Sequence, residues 1–154
     1  MEFAQVVSVE NMRKSDAKTI AEHTPSAELM YRAAKGIFES AKFVGKVAVV
    51  CGKGNNGGDG YALACILCQN GFTPTIFRVG DGFSKDGLYY YKKAMSLGAE
   101  ELPMSQAAAF TGFDIVTDCL LGTGFSGELK GEMLDAVEQI NICLLYTSDA
   151  ADDK

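Results

Sequence analysis

The stretch from Val47 to Gly71, "VAVVCGKGNNGGDGYALACILCQNG", decides the fold. It opens in the apolar run "KVAVVC" (Lys46–Cys51), which has no polar alternation. Such a run reads as a parallel strand buried on both faces. Five glycines and two asparagines then crowd between Gly52 and Gly60. The next residues predict a helix from Asp59 or Gly60 to Asn70, with Leu63, Ile66 and Leu67 on one side and Gly71 as its stop. Glycine loses more conformational freedom on ordering than any other residue. A cluster at one strand-to-helix junction therefore implies that something approaches the backbone closely. Gly52, Gly54 and Gly57 match G-x-G-x-x-G, and after a strand and before a helix that pattern seats a pyrophosphate on the helix N-terminus. On this reading Gly57→Val loses dinucleotide binding and keeps the fold.

Working outward, strands and helices alternate. "TPTIFRVG" is a second strand, Ser84–Leu97 a helix ending at Gly98, "FDIVTDCLLG" holds another strand, and "GEMLDAVEQI" another helix. Before the quoted stretch, "HTPSAELMYRAAKGIFESAKF" reads as a helix with Thr24 as cap and Pro25 in its first turn. Leu29, Met30, Ala33, Ala34, Ile37 and Ala41 share one face of it. Ser8 to about Glu22 reads as an earlier helix capped by Ser8. The single histidine, His23, falls in the link between these two helices, in a surface or capping role. The alternation implies βαβ units. The expected class is α/β, a Rossmann-like three-layer α/β/α arrangement with a mostly parallel sheet and N-terminal helices packed on it.

The chain has 154 residues, which suits one domain. Its net charge of −6 argues against a nucleic acid or an anionic membrane as partner. A phosphorylated small molecule stays open, because backbone N–H groups bind phosphate without net positive charge. No run reaches the roughly 18–20 apolar residues of a membrane span. The N-terminus shows neither a signal nor a transit pattern, so the expected compartment is the cytoplasm. The five cysteines are an odd number. Cys65 and Cys68 form a C-x-x-C with no second ligand pair and no thioredoxin-like context, so the cysteines read as small hydrophobes.

The junction is more polar than a phosphate turn needs. Asn55, Asn56 and Asp59 add side-chain donors and acceptors. Asp59 would place a carboxylate near a diphosphate, a repulsion relieved by a bound cation or by a distance set by the ribose. The acid expected some 20 residues further on is not cleanly present; Phe77 and Arg78 stand there, with Asp81 just beyond. A second glycine cluster, "DCLLGTGFSGE" (Asp118–Glu128), follows the strand "FDIVT". Loops at the C-terminal ends of neighbouring parallel strands share one crevice. Gly122, Gly124 and Gly127 free the backbone there, Thr123 and Ser126 offer hydroxyls, and Asp118 sits where it can meet the Asn56 loop. The bland alternative for Asp118 is a turn-capping carboxylate. Two such loops suit a nucleotide with a hard cation. Potassium, calcium and magnesium all take oxygen ligands, and ligand type alone does not choose among them.

"GKGNNGGDGYALA" and "DCLLGTGFSGE", preceded by "MRKSDAKTIAEHTPSAELMYRAA", closely resemble the NAD(P)HX epimerase family, the YjeF N-terminal domain, over about Val7 to Ile140. The resemblance implies a Rossmann-like fold, often dimeric. It implies repair of hydrated NADH and NADPH by interconversion of the R and S forms at nicotinamide carbon 6. A fused or separate ADP- or ATP-dependent dehydratase then acts on the S form. It also implies one potassium ion per subunit. By position, Asn55, Asn56, Gly57, Gly58 and Asp59 would hold the substrate, and Gly122, Thr123, Gly124, Phe125, Ser126, Gly127 and Glu128 would form the second substrate loop. Asn56 and Asp118 would bind potassium, and Asp118 is the best candidate catalytic residue present. The family continues into a strand with an Asp-x-Pro-Ser-Gly motif. Here "CLLYTSDAADDK" follows instead, and it resembles the in-frame translation of a sequencing adapter. The expectation is a truncated domain over 1–142 with a non-native read-through tail over 143–154. Two other readings use the same residues: a non-catalytic nucleotide-binding domain or inactive fragment, and a nicotinamide-dependent oxidoreductase module. The second has little length left for a further substrate domain.

Overall fold

The computed structural model describes residues 5–8, 26–80, 82–107, 110–120, 136–137 and 140, with Val7, Ser8, Asn55 and Asn56 described by their backbone alone. Five strands form one sheet: β1 (Gln5–Ser8), β2 (Val47–Cys51), β3 (Thr75–Arg78), β4 (Glu100–Glu101) and β5 (Ile115–Cys119). Their order is β1-β5-β2-β3-β4, and every pairing is parallel. Three helices connect them: α1 (Ser26–Ser40), α2 (Gly54–Gln69) and α3 (Lys85–Ser96). This is the expected Rossmann-like α/β class.

The two faces of the sheet follow from the handedness of the crossovers. The connections β1 to β2, β2 to β3 and β3 to β4 all step the same way across the sheet, so right-handed crossovers put α1, α2 and α3 on one face. There Leu63, Leu67, Ile76, Ile115 and Ile37 form a continuous core. The return from β4 to β5 steps the other way and covers the opposite face. That face is closed by Met104, Ala107, Phe110 and Phe113, with the helical residues Ala136 and Ile140. Phe77 from β3 meets Phe110 edge to face, with ring centroids 5.4 Å apart.

Local signals fix the helices. α3 starts at Ser84, whose Oγ accepts the Gly87 N–H at 3.0 Å, the N-cap bond its position predicts. Tyr90 ties α3 to α1 by donating its hydroxyl to the Ala27 carbonyl at 2.6 Å. Three features differ from the sequence reading. Ser8 ends β1 rather than capping a helix, and the rest of the helix predicted to Glu22, with His23, Thr24 and Pro25, lies outside the described residues. β4 is a two-residue strand that no pattern announces. The start of α2 lies at Gly54, five residues before Asp59, so the asparagine–glycine segment is the first turns of the helix and not a loop before it. Close packing there outweighs the poor helix propensity of glycine and asparagine.

Cys51, Cys65 and Cys119 are buried, Cys68 is half-buried, and all four thiols are free. Burial pushes the Cys65 thiol up to about 12, and it raises Cys51, Cys68 and Cys119 in the same direction. Thiols held protonated are poor nucleophiles and metal ligands, so these four pack as small hydrophobes. Cys143 and the tail expected over 143–154 lie outside the described residues. Among the described residues no helix is long and apolar enough to cross a membrane.

Candidate functional site

The strand order reverses at β2. Its neighbours are β5 on one side and β3 on the other, with Val50 opposite Asp118, Cys51 opposite Cys119, and Cys51 opposite Arg78. The crevice outside the C-terminal ends of the strands at such a reversal is where open α/β sheets bind ligands. The backbone opens there in a defined way. The Gly52 N–H donates to the Cys119 carbonyl at 3.0 Å, and the Val79 N–H donates to the Cys51 carbonyl at 2.9 Å. The ladder thus closes on both sides of β2 just as the chain turns into α2.

The glycines at this turn are required mainly by the protein itself. A Cβ on Gly57 would overlap the carbonyl oxygen of Gly52, and one on Gly52 would overlap that of Leu120. A Cβ on Gly58 would lie 2.5 Å from Met30 Cε, and one on Gly60 would lie 2.6 Å from Cys51 Sγ. These four let α2 press onto the sheet and onto α1. Gly54 differs: it has φ of +73° and nothing near its missing side chain, so the turn itself demands it. The close approach inferred from the sequence is therefore largely that of neighbouring backbone and side chains. The Gly57→Val expectation is corrected accordingly: that substitution collides with the turn, so it does not separate binding from folding.

On the β5 side, Asp118 is half-buried, and its Oδ1 accepts the Leu120 N–H at 3.1 Å. The turn-capping role is present, and it occupies one oxygen of a carboxylate that stands at the strand tip. Asp59 is fully buried on α2, within the helix and not at its start. The carboxylates of Asp118 and Asp59 both help to push up the Cys119 thiol, behind the larger effects of burial and of Cys51. Each acid thus bears on the same buried thiol of β5. Asn55 and Asn56 lie in the first turn of α2, where N–H groups have no helical acceptor and the helix dipole favours negative charge.

On the β3 side stands a different group. Arg78 Nε donates to Glu101 Oε2 at 2.9 Å, and Tyr91 donates its hydroxyl to Glu101 Oε1. The Arg78 guanidinium lies 5.0 Å from the Phe83 ring centroid and 5.4 Å from that of Tyr91. Tyr61 packs against both rings. Burial alone would lower Arg78, but the hydrogen bond and charge of Glu101 outweigh it and raise it. This cluster was missed as a site from the sequence. Its one signal was an arginine where the dinucleotide pattern expects an acid.

Gly122, Thr123, Gly124, Phe125, Ser126, Gly127 and Glu128 lie outside the described residues. Leu120, the last described residue before them, adjoins Gly52. The oxygen-bearing residue types at this junction, Asp59 and Asp118 with Asn55 and Asn56 in sequence, are those that hard cations take. Among the described residues no group of three or more His, Cys, Asp or Glu forms a metal cluster.

Comparison with known proteins agrees with this geometry. The family described as YjeF-related protein N-terminus matches residues 26–144. The chain is 32% identical over 148 residues to the NAD(P)H-hydrate epimerase of Lentilactobacillus buchneri, covering 90% of this chain and 67% of that protein. It is 35% identical over 124 residues to the Bifunctional NAD(P)H-hydrate repair enzyme Nnr of Coxiella burnetii, covering 74% of this chain and 24% of that protein. Against the crystal structure of yeast ynu0, YNL200c, the TM-score is 0.63 at 19% identity, over 88% of this chain and 64% of that one. The chain therefore spans about a quarter of its bifunctional relative and about two thirds of the epimerase. It belongs to the family of YjeF-related protein N-termini.

Proposed function

We propose that this chain interconverts the 6R and 6S forms of hydrated NADH and NADPH, so that a dehydratase can act on the S form. The observation that carries the reading is the adjacency of the β2 and β5 tips, with α2 starting just after one and Asp118 near the end of the other. The names of the relatives support it. The bifunctional relative supports a fused or separate dehydratase as partner. A cytoplasmic setting, a homodimer, and a domain running over 1–142 with foreign residues after it belong to the same proposal; the coding DNA past Ile142 tests the last of these.

The chemistry asks little of the protein. Carbon 6 of the substrate carries a hydroxyl and is bonded to the ring nitrogen. Once a proton reaches the hydroxyl oxygen, the nitrogen lone pair forms a C=N bond and water leaves. The planar iminium is a cation. Water adds to either face and gives up its proton, so atoms balance and no electrons are exchanged. A carboxylate beside this ring stabilises the cation as it forms, which is the role we give Asp118. The N-terminus of α2, with Asn55, Asn56, Gly57 and Gly58, would hold the diphosphate, and Gly122–Glu128 would contribute the second set of substrate-binding residues. Asp59, buried beneath, would set the charge of the pocket floor. Asn56 and Asp118 would hold a potassium ion, which would supply positive charge against the two acids and the diphosphate. A carboxylate next to a cation stays ionised, so Asp118 positions the water that carries the proton.

The test is to incubate the chain with one resolved epimer and follow both the epimer ratio and the reduced-nicotinamide absorbance. The expected result is faster approach to the equilibrium mixture with no change in redox state. A ratio that moves at the spontaneous rate while nucleotide still binds would leave a non-catalytic binding domain. Net oxidation or reduction would instead favour an oxidoreductase module.

A further inference from the structure

The β3 tip is a second recognition point in the crevice, distinct from the acids at the β5 tip. In dinucleotide folds the residue ending the second strand of the βαβ unit faces the adenosine ribose: an acid there accepts from the 2′-hydroxyl, and an arginine accommodates a 2′-phosphate. Here that position is Arg78, in register with Cys51 of β2, just before α2 begins. The nearest acid, Glu101, is not available to a ribose. Its Oε2 accepts from Arg78 Nε, and its Oε1 accepts from the Tyr91 hydroxyl. The same bonds fix the guanidinium's inner edge, and among the described residues nothing else accepts from it. Phe83 and Tyr91 flank the guanidinium plane, and its side chain is 31% exposed. An arginine whose inner edge is fixed and whose outer fork is free is preorganised for a bidentate phosphate contact. Lys53 lies along the same tip, its Cε 2.6 Å from where a Gly80 Cβ would stand, and no described carboxylate pairs with it.

We propose that Arg78, buttressed by Glu101 and Tyr91 and flanked by Lys53, binds the 2′-phosphate of the adenosine ribose, so that the chain prefers the phosphorylated dinucleotide, hydrated NADPH, over hydrated NADH. The inference rests on the dinucleotide reading above and specifies which of its two substrates fits.

The probe is a pair of fragments that lack the nicotinamide: 2′,5′-ADP, which carries the 2′-phosphate, and 5′-AMP, which does not. Titration calorimetry on the full chain is expected to give 2′,5′-ADP at least tenfold tighter binding. The double variant Arg78→Met/Glu101→Gln, which leaves no half-buried charge unpaired, is expected to bring the two affinities together while 5′-AMP binding is kept. Arg78→Lys, which keeps charge but not the fork, is expected to retain only part of the preference. Equal affinities in the wild-type chain would overturn the 2′-phosphate role and leave the dinucleotide reading standing. A preference that persists in the folded double variant would overturn Arg78 as its source. Failure of both fragments to bind would overturn the dinucleotide reading itself, and this inference with it.

Discussion

The two strand tips that flank β2 are opposites. The β5 side is tight and acidic. Gly60 leaves no room between α2 and the thiols of Cys51 and Cys119, and Asp118 and Asp59 both act on Cys119. The β3 side is aromatic, half-open and cationic, with Arg78 set among Phe83, Tyr91 and Tyr61. Between them lies the N-terminus of one helix. The difference supports the dinucleotide placement proposed above. A nicotinamide that passes through a cation belongs beside carboxylates, and a phosphorylated ribose belongs beside a guanidinium. The helix end between them suits the diphosphate.

The tightness of the β5 side can be broken directly, and Gly60→Val is the largest effect expected. A Cβ at this position already lies 2.6 Å from Cys51 Sγ and 3.1 Å from Cys119 Sγ. Overpacking of a close-packed core costs about 1–3 kcal/mol, and a branched side chain against two strands belongs at about 3 kcal/mol. The denaturation midpoint should fall accordingly. A midpoint within error of the wild type would mean that α2 does not press on the sheet as described.

How much of this was legible in the sequence depended on length and on burial. β2, β3 and β5 were readable because strands covered on both faces give unbroken apolar runs such as "VAVVC". β1 and β4 were not. Among the described residues each has a sheet neighbour on one side only, and with four and two residues neither is long enough to show a pattern. The start of α2 was misread because "GNNGGDG" has the composition of a loop, and only the three-dimensional closeness of Met30, Cys51 and Leu120 explains why glycine is needed there. Asp118 was found as a strand-end acid next to a glycine segment. Arg78 was noticed only as a departure from the dinucleotide pattern. Its partners Glu101, Phe83 and Tyr91 come from three separate segments and meet only in the fold.

A smaller effect sharpens the same comparison from inside the β5 side. Thr117, one residue before Asp118, is fully buried, and among the described residues its hydroxyl has no hydrogen-bond partner. A buried, unsatisfied polar group costs about 1–3 kcal/mol. Thr117→Val, which keeps the shape, is expected to raise stability by about 1 kcal/mol, seen as a higher thermal midpoint. A lower midpoint would mean that this hydroxyl is satisfied and that the β5 side is more polar inside than described.

The account turns on the charge at the β5 tip, and Asp118→Asn tests it most directly. The amide oxygen can still accept the Leu120 N–H, so the turn survives while the negative charge is removed. The measurement is the steady-state rate of epimer interconversion on a resolved hydrated nicotinamide dinucleotide, with kcat and KM separated. Removing one preorganised electrostatic stabiliser of a transition state typically costs about 10²–10³-fold, so kcat is expected to fall by about a hundredfold in a variant that remains folded. An undiminished kcat would contradict a cation-stabilising acid at this strand tip, and with it the assignment of the nicotinamide to the β5 side.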